Sequence, residues 1–309
     1  MNKRKAIISI ALCLTSLAVT AQQKLTITHD GLMFTDIVLY GADGKAHPAK
    51  AMISTAVESC VIDSAYYHST LKGSGKGKKD YVGGEFGKVI DVTKTTLDSL
   101  SFDGRAYRGV TAIVAPLIDK KPYDVAIGAS ILDGQTWLID MKDSLMTRIE
   151  QPAKGQVATI DCLRGNKKAG QSYLMYIPLK VQGKSFDCLF HTGANGIAIT
   201  KKIAGQPWIA EVFEGSDGGY FHYNARHQYR LPNAKVKVPY TKWEITETVK
   251  YVPMLNYNCV GNILFGGHTY VLDYRKNRIL IYEPSVSGIY EGGGPATLTR
   301  PPLFTIFYG

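Results

Sequence analysis

The feature that most constrains this chain is an internal repeat. Ile127-Gly128-Ala129-Ser130-Ile131-Leu132-Asp133-Gly134, continuing through Trp137-Leu138-Ile139-Asp140, returns later in altered form. The second copy reads Val260-Gly261-Asn262-Ile263-Leu264-Phe265-Gly266-Gly267 and continues through Tyr270-Val271-Leu272-Asp273. One offset pairs Gly128 with Gly261, Gly134 with Gly267 and Asp140 with Asp273. Each copy runs on into a charged turn and another strand-like run, Asp143-Ser144-Leu145-Met146 in one and Lys276-Asn277-Arg278-Ile279 in the other. Three register matches with apolar positions between them imply two copies of one supersecondary unit. The chain should therefore fold as two related halves.

Both halves read as β. Long amphipathic helical patterns are scarce, and short β-rich runs are punctuated by Gly, Pro, Asn and Asp. Leu25-Thr26-Ile27-Thr28 is strand-like, and Ile37-Val38-Leu39-Tyr40 runs into the turn Gly41-Ala42-Asp43-Gly44. Leu100-Ser101-Phe102, the turn Asp103-Gly104 and the run from Tyr107 to Val114 form a hairpin pattern. Helix is expected only over 64–70, over 201–205 and just after Gly128 and Gly261.

Upstream of Gly261 lies Phe186-Asp187-Cys188-Leu189-Phe190-His191-Thr192-Gly193-Ala194-Asn195-Gly196-Ile197-Ala198-Ile199-Thr200, an apolar strand, a turn of small residues and a second strand. Gly193 and Gly196 allow backbone angles and close approaches that a larger residue would forbid. At a similar distance before Gly128 stands Ile53-Ser54-Thr55-Ala56-Val57, also entered by apolar residues and left through a β-branched run. Ser54-Thr55-Ala56-Val57 aligns with His191-Thr192-Gly193-Ala194.

With Asp in place of His191 the second turn would read Asp-Thr-Gly-Ala-Asn-Gly. It resembles the active-site turn of aspartic proteases of the pepsin and retropepsin kind, and the repeat resembles that family's apolar-apolar-Gly element. The resemblance covers nearly all of the chain after its first 21 residues. It implies an all-β fold with few short helices, a bilobal pepsin-like arrangement of two retropepsin-like β-barrel lobes. The first lobe would span 22–150, a connection 151–172, the second lobe 173–284 and a tail 285–309. Thr55 and Thr192 would hydrogen-bond across the lobe interface, with Ala56, Gly193, Gly128 and Gly261 shaping the turns. A flap is expected in Asp80-Tyr81-Val82-Gly83-Gly84-Glu85-Phe86-Gly87. Tyr81, Gly83, Gly84 and Phe86, with Tyr220 and Phe221 of the second lobe, are the expected ligand contacts.

The family's chemistry needs two carboxylates that share a proton, one ionised and one protonated. Here those positions hold Ser54 and His191. A serine hydroxyl is no base at neutral pH, and a lone imidazole beside a hydroxyl is not that dyad. Glu58, Asp63 and Asp187 read as surface or turn carboxylates. The expectation is a catalytically silent protein whose cleft takes a peptide or another extended ligand. The competing readings are a hydrolase using a Ser54–His191 pair and a structural envelope protein. No cofactor is implied, and no two cysteines stand at metal-finger spacing.

The chain's ends and charge complete the reading. Lys3, Arg4 and Lys5 precede an apolar run and Ala18-Val19-Thr20-Ala21, the pattern of a secretory signal peptide cleaved after Ala21. The protein is thus expected in the periplasm or outside the cell, with no membrane span after cleavage. Those three cations belong to the formal charge of +10. The rest are dispersed, apart from Lys72, Lys76, Lys78 and Lys79, read as a solvated loop tip, or else a contact for an anionic partner. No nucleic-acid motif accompanies them. Of Cys60, Cys162, Cys188 and Cys259, the first pairing to consider is Cys188 with Cys259, with buried free thiols as the alternative. In the tail, Gly292-Gly293-Gly294-Pro295 through Pro301-Pro302 reads as an extended linker before Leu303-Phe304-Thr305-Ile306-Phe307-Tyr308, a run that would add as an edge strand or bind a partner. The oligomeric state is not encoded in any of these signals.

Overall fold

The computed structural model describes residues 22–29, 31–73, 77–83, 89–117, 122–167, 171–217, 221–253 and 255–283. The expected signal peptide and tail lie outside them. The fold is all-β and bilobal, with two closed six-stranded barrels, an arrangement compatible with the pepsin-like one. The first barrel runs, in hydrogen-bonding order, through Met33–Tyr40, Ala46–Ile53, Val125–Ile127, Cys60–Asp63, Arg105–Ala115 and Val89–Phe102. It closes where Val38, Leu39 and Tyr40 pair with Ser101, Leu100 and Ser99. The second runs through Met175–Val181, Lys184–Phe190, Asn258–Val260, Ile197–Ile199, Glu244–Tyr251 and Phe221–Lys237, and closes where Lys180 and Val181 pair with Lys237 and Val236. The sense of pairing also matches. Ala46–Ile53 lies parallel to Val125–Ile127 as Lys184–Phe190 lies parallel to Asn258–Val260. Closure leaves few free edges and lets alternate side chains fill each interior, among them Ile53, Ile62, Val125, Phe190, Ile197 and Val260, all buried.

A six-stranded antiparallel sheet joins the lobes, in the order Gln22–Lys24, Leu145–Arg148, Thr136–Asp140, Thr269–Asp273, Arg278–Tyr282, Ala158–Asp161. At its centre the two copies of the repeat pair with each other, and Leu138 faces Val271. The offset that carries Gly128 to Gly261 also carries Leu138 to Val271. The two residues are therefore each other's counterparts, and the pseudo-twofold axis passes between them. Trp137, Ile139, Tyr270 and Leu272 join the main core, while Leu138, Val271, Leu280 and Tyr282 form a cluster of their own. The repeated aspartates tie off the turns that follow. Asp140 Oδ1 accepts the N–H groups of Lys142 and Asp143, and Asp273 Oδ1 accepts that of Lys276. Ser144 and Asn277 occupy the left-handed position of the two turns, at φ 55° and 52°.

The repeated glycines have a steric cause. Neither Gly128, at φ −81°, nor Gly261, at φ −88°, is left-handed. A Cβ on Gly128 would lie 2.4 Å from the Ser59 carbonyl oxygen, and one on Gly261 2.0 Å from that of Ala194. Each glycine thus lets the strand that leads into it run directly beneath one of the two turns.

Several local expectations resolve differently. Asp103 and Gly104 take φ of 52° and 66°, the two positive values a two-residue hairpin needs. Helix forms over Ser64–Ser69 and Ala129–Leu132, with a 3-10 turn over Asn262–Phe265. No helix forms over 201–205, which ends in a turn with Gly205 at φ 74°. Lys78 and Lys79 lie on the strand Lys78–Gly83 and not in a loop. The four described cysteines are buried, and none forms a disulfide with another. Cys188 aligns with Asn258, and Leu189 with Cys259. Because side chains alternate between faces, the two thiols point to opposite sides of the sheet and cannot bridge. Burial pushes the Cys60 thiol up to about 11 and that of Cys162 to about 12, so both remain protonated.

Two outcomes follow from this packing. Gly128→Ala and Gly261→Ala should each destabilise the protein by roughly 3 kcal/mol or more, the upper end of overpacking costs, because the contacts are to backbone. Urea denaturation checks this against Gly196→Ala, whose Cβ meets nothing within 4 Å and whose φ is not left-handed. The second concerns Asp103, buried, with neither carboxylate oxygen hydrogen-bonded and Arg148 Nη2 3.7 Å away. Burial raises its pKa to about 6, and Arg148 and Arg105 offset part of the rise. A folded pKa above the unfolded value means that ionisation opposes folding, so this contribution is lost as pH rises through about 6. Asp103→Asn should therefore be more stable than the parent at pH 7, on the order of 1–3 kcal/mol, with the difference vanishing toward pH 4.

Candidate functional site

The two turns meet at the interface of the lobes. Ser54 follows Ile53, and its N–H donates to the Ile127 carbonyl at 3.0 Å; His191 follows Phe190, and its N–H donates to the Val260 carbonyl at 2.9 Å. Ser54 and His191 are thus structural counterparts, each at the tip of a strand held by the strand before its repeat glycine. Both are buried. Thr55 and Thr192 then bind each other's lobes reciprocally. Thr55 N–H donates to Thr192 Oγ1 at 3.2 Å, and Thr192 N–H to Thr55 Oγ1 at 3.1 Å. Thr55 Oγ1 donates to the Phe190 carbonyl at 2.6 Å and Thr192 Oγ1 to the Ile53 carbonyl at 2.7 Å. Each hydroxyl donates once and accepts once, and each acts wholly on the opposite lobe.

The two turns differ beside these threonines. His191 Nδ1 accepts the Gly193 N–H at 3.0 Å. An imidazole nitrogen that accepts carries no proton, so the neutral ring holds its proton on Nε2. In that state neither nitrogen has a lone pair to spare for taking a proton from a hydroxyl. The ring also explains Gly193. A Cβ there would stand 2.7 Å from His191 Cε1 and 3.2 Å from Met52 Cε. Gly196, by contrast, has open space and no left-handed φ. The first turn, with its smaller Ser54, carries Ala56 where the second carries Gly193.

The nearby acids are engaged elsewhere. Asp63 caps the helix Ser64–Ser69 through the Tyr66 N–H at 2.9 Å and accepts the Leu117 N–H at 3.1 Å. Glu58 accepts the Tyr173 N–H on both oxygens, at 3.1 and 3.3 Å; burial raises its pKa against the opposing pull of that bond and of Arg164. Asp187 is exposed on its strand. Among the described residues no three His, Cys, Asp or Glu side chains gather as a metal site would need.

The expected ligand contacts are placed only in part. Tyr81 and Gly83 lie on Lys78–Gly83, which pairs with Val89–Phe102 as a hairpin, Gly83 opposite Val89. Gly84, Phe86 and Tyr220 lie outside the described residues. Phe221 begins the long strand Phe221–Lys237 and pairs with Asp217 of Ile209–Asp217. These two hairpins are counterparts in the two lobes. An open depression of about 370 Å³ on the first lobe, lined by Gly77, Lys78, Lys94, Thr95, Thr96 and Thr111, includes no residue of either turn.

Two features were missed at the level of sequence. One is the His191–Gly193 bond, whose only signal is a glycine two residues after the histidine. The other is Arg164, whose Nη2 reaches Asp133 Oδ1 at 2.7 Å and the Tyr274 carbonyl at 2.8 Å, while Nε donates to Asn277 Oδ1. It fastens the connecting segment to both copies of the repeat. No protein-family model matches the chain, and no curated protein matches it.

The threonine lock generates a measurable expectation. Thr55→Val and Thr192→Val should each destabilise the protein by roughly 1–3 kcal/mol, the cost of leaving buried partners unsatisfied. Thr55→Val removes the bonds to the Phe190 carbonyl and from the Thr192 N–H, and Thr192→Val removes those to the Ile53 carbonyl and from the Thr55 N–H. Because all four cross one interface, losing either pair loosens the other, and the double variant should cost clearly less than the sum. Additive losses in a double-mutant cycle would show that the two hydroxyls do not act as a unit.

Proposed function

We propose that this is an exported, aspartic-protease-like protein without aspartic-protease activity, whose inter-lobe cleft binds a peptide or another extended chain. One observation carries the proposal. The reciprocal threonine bonds hold two equivalent turns together, yet the positions that would bear the shared-proton carboxylates are Ser54 and His191. The supporting geometry is that of a scaffold kept without its acid–base pair.

The Ser–His alternative asks His191 to take a proton from Ser54. That needs an imidazole lone pair, and Nδ1 already accepts the Gly193 N–H. Freeing it would break the bond that shapes the turn. Asp63 and Glu58, the acids closest to the first turn in sequence, hold backbone N–H groups, so neither is available to orient the ring as a triad acid would. For a binding role no ionisable pair is needed. An extended ligand would pair its backbone with exposed strand edges and seat alternate side chains in pockets. The strands Lys78–Gly83 and Ile209–Asp217, each last in its sheet, offer such edges on both lobes. Export rests on the N-terminal signal pattern.

The purified protein should cleave no peptide between pH 2 and 9, and a pepstatin-like inhibitor, whose hydroxyl sits between two carboxylates, should not bind. Ser54→Asp combined with His191→Asp should give proteolysis with an acid optimum, each single variant remaining silent. Robust cleavage by the unmodified protein that disappears in folded Ser54→Ala and His191→Ala variants would overturn the proposal in favour of the Ser–His pair.

A further inference from the structure

We infer that His191 makes the central turn an acid-sensitive latch: the turn is closed while the imidazole is neutral and loosens when the ring gains its second proton. The inference stands on geometry and does not depend on what the cleft binds. His191 Nδ1 accepts the Gly193 N–H at 3.0 Å, and the His191 carbonyl accepts the Ala194 N–H at 2.9 Å. These two bonds fold residues 191–194 into one compact turn. Between them sits Thr192, whose N–H and hydroxyl both bind the first lobe.

An imidazole can accept a hydrogen bond only while one nitrogen is bare, and an imidazolium has two N–H donors and no acceptor. Protonation of His191 must therefore set an N–H against the Gly193 N–H at the distance of a hydrogen bond. One of the two has to move. The ring has little room, because it is buried and packed close enough to Gly193 to exclude even a Cβ there. The turn must give, and the threonine that locks the lobes is part of it. A carboxylate at the same position would behave differently, since its carbonyl oxygen still accepts after protonation.

Among the described residues, several charged and titratable groups stand on the elements around His191. On the strand Ala46–Ile53, His47 pairs with Asp43 at 3.1 Å and Lys50 with Asp36 at 3.5 Å. In the Ser54 turn, Glu58 holds the Tyr173 N–H. On its own strand Asp187 is exposed and Cys188 buried, and Cys259 of the neighbouring strand is a buried thiol. From the first lobe it is the uncharged Met52 that packs at Gly193 beside the ring.

The test uses the full chain, with nitrogen NMR of the His191 ring and amide hydrogen exchange at Gly193 and Thr192 from pH 8 to pH 4, corrected for intrinsic exchange. The neutral ring should be the Nε2–H tautomer. Protection at Gly193 should fall about tenfold, with the same midpoint as the ring. In His191→Asn, whose side-chain carbonyl accepts at every pH, that step should be absent. A neutral ring protonated on Nδ1, or protection at Gly193 that stays level while the ring titrates, would overturn the inference. So would an unchanged acid step in His191→Asn. The first two readings need only the unmodified protein, so they decide the matter even where the variant fails to fold.

Discussion

Four hydrogen bonds between Thr55 and Thr192 and the strands before them hold the centre of this molecule. All are made between lobes, by groups that are fully buried. Buried donors and acceptors without partners cost on the order of 1–3 kcal/mol each. A lobe folded alone would thus leave its turn amide, its threonine hydroxyl and a strand-end carbonyl without these partners. Each lobe supplies what the other lacks. The six-stranded sheet fastens the molecule a second time, through the pairing of Leu138 with its own counterpart Val271. The two contacts fix the same pseudo-twofold relation, and everything between them is placed by it.

The close clearances follow from that relation. To bring two turns together back to back, each must rest on the strand that leads to its repeat glycine, and there is no space for a side chain beneath it. Gly128 and Gly261 are glycines for that reason, and their backbone angles are ones any residue adopts. The asymmetry at the next level has an equally local cause. The His191 ring fills the volume that a Cβ on Gly193 would need. Ser54 is smaller, and its turn carries Ala56. The difference between the two turns is thus a difference in one side chain and its consequence two residues later.

Much of the fold was legible because the repeat is spaced by topology. Gly128 with Gly261 and Asp140 with Asp273 mark a steric contact and a turn cap that both lobes need, so both survive in the sequence at one offset. The hairpin at Asp103-Gly104 was legible because its turn demands two positive φ values. That Cys188 and Cys259 cannot bridge was not, since it depends on which face of a sheet each residue occupies, and that is set by the register of a parallel pair distant in sequence. The helix expected over 201–205 did not form, and the segment ends in a turn on the left-handed Gly205. At the site, the paired threonines could be read from the sequence, because their role needs only a hydroxyl at equivalent positions. The Nδ1 bond could not, because a histidine followed by Thr-Gly has many conformations, and only the lobe interface selects this one.

Scaffold and chemistry separate cleanly at this site. The lobe lock uses threonine hydroxyls and main-chain groups, none of which changes charge, so it places no demand on the residue just before each threonine. That residue needs only to fit, and at one turn to accept a hydrogen bond. Serine satisfies the first condition, and a neutral histidine satisfies both. What the histidine does not supply is an acceptor indifferent to its own protonation, which a carboxyl group is. Replacing a carboxyl group by an imidazole therefore preserves the shape of the turn while coupling that shape to the charge of the ring. Asp103 is a separate case, a buried carboxylate that gains from protonation.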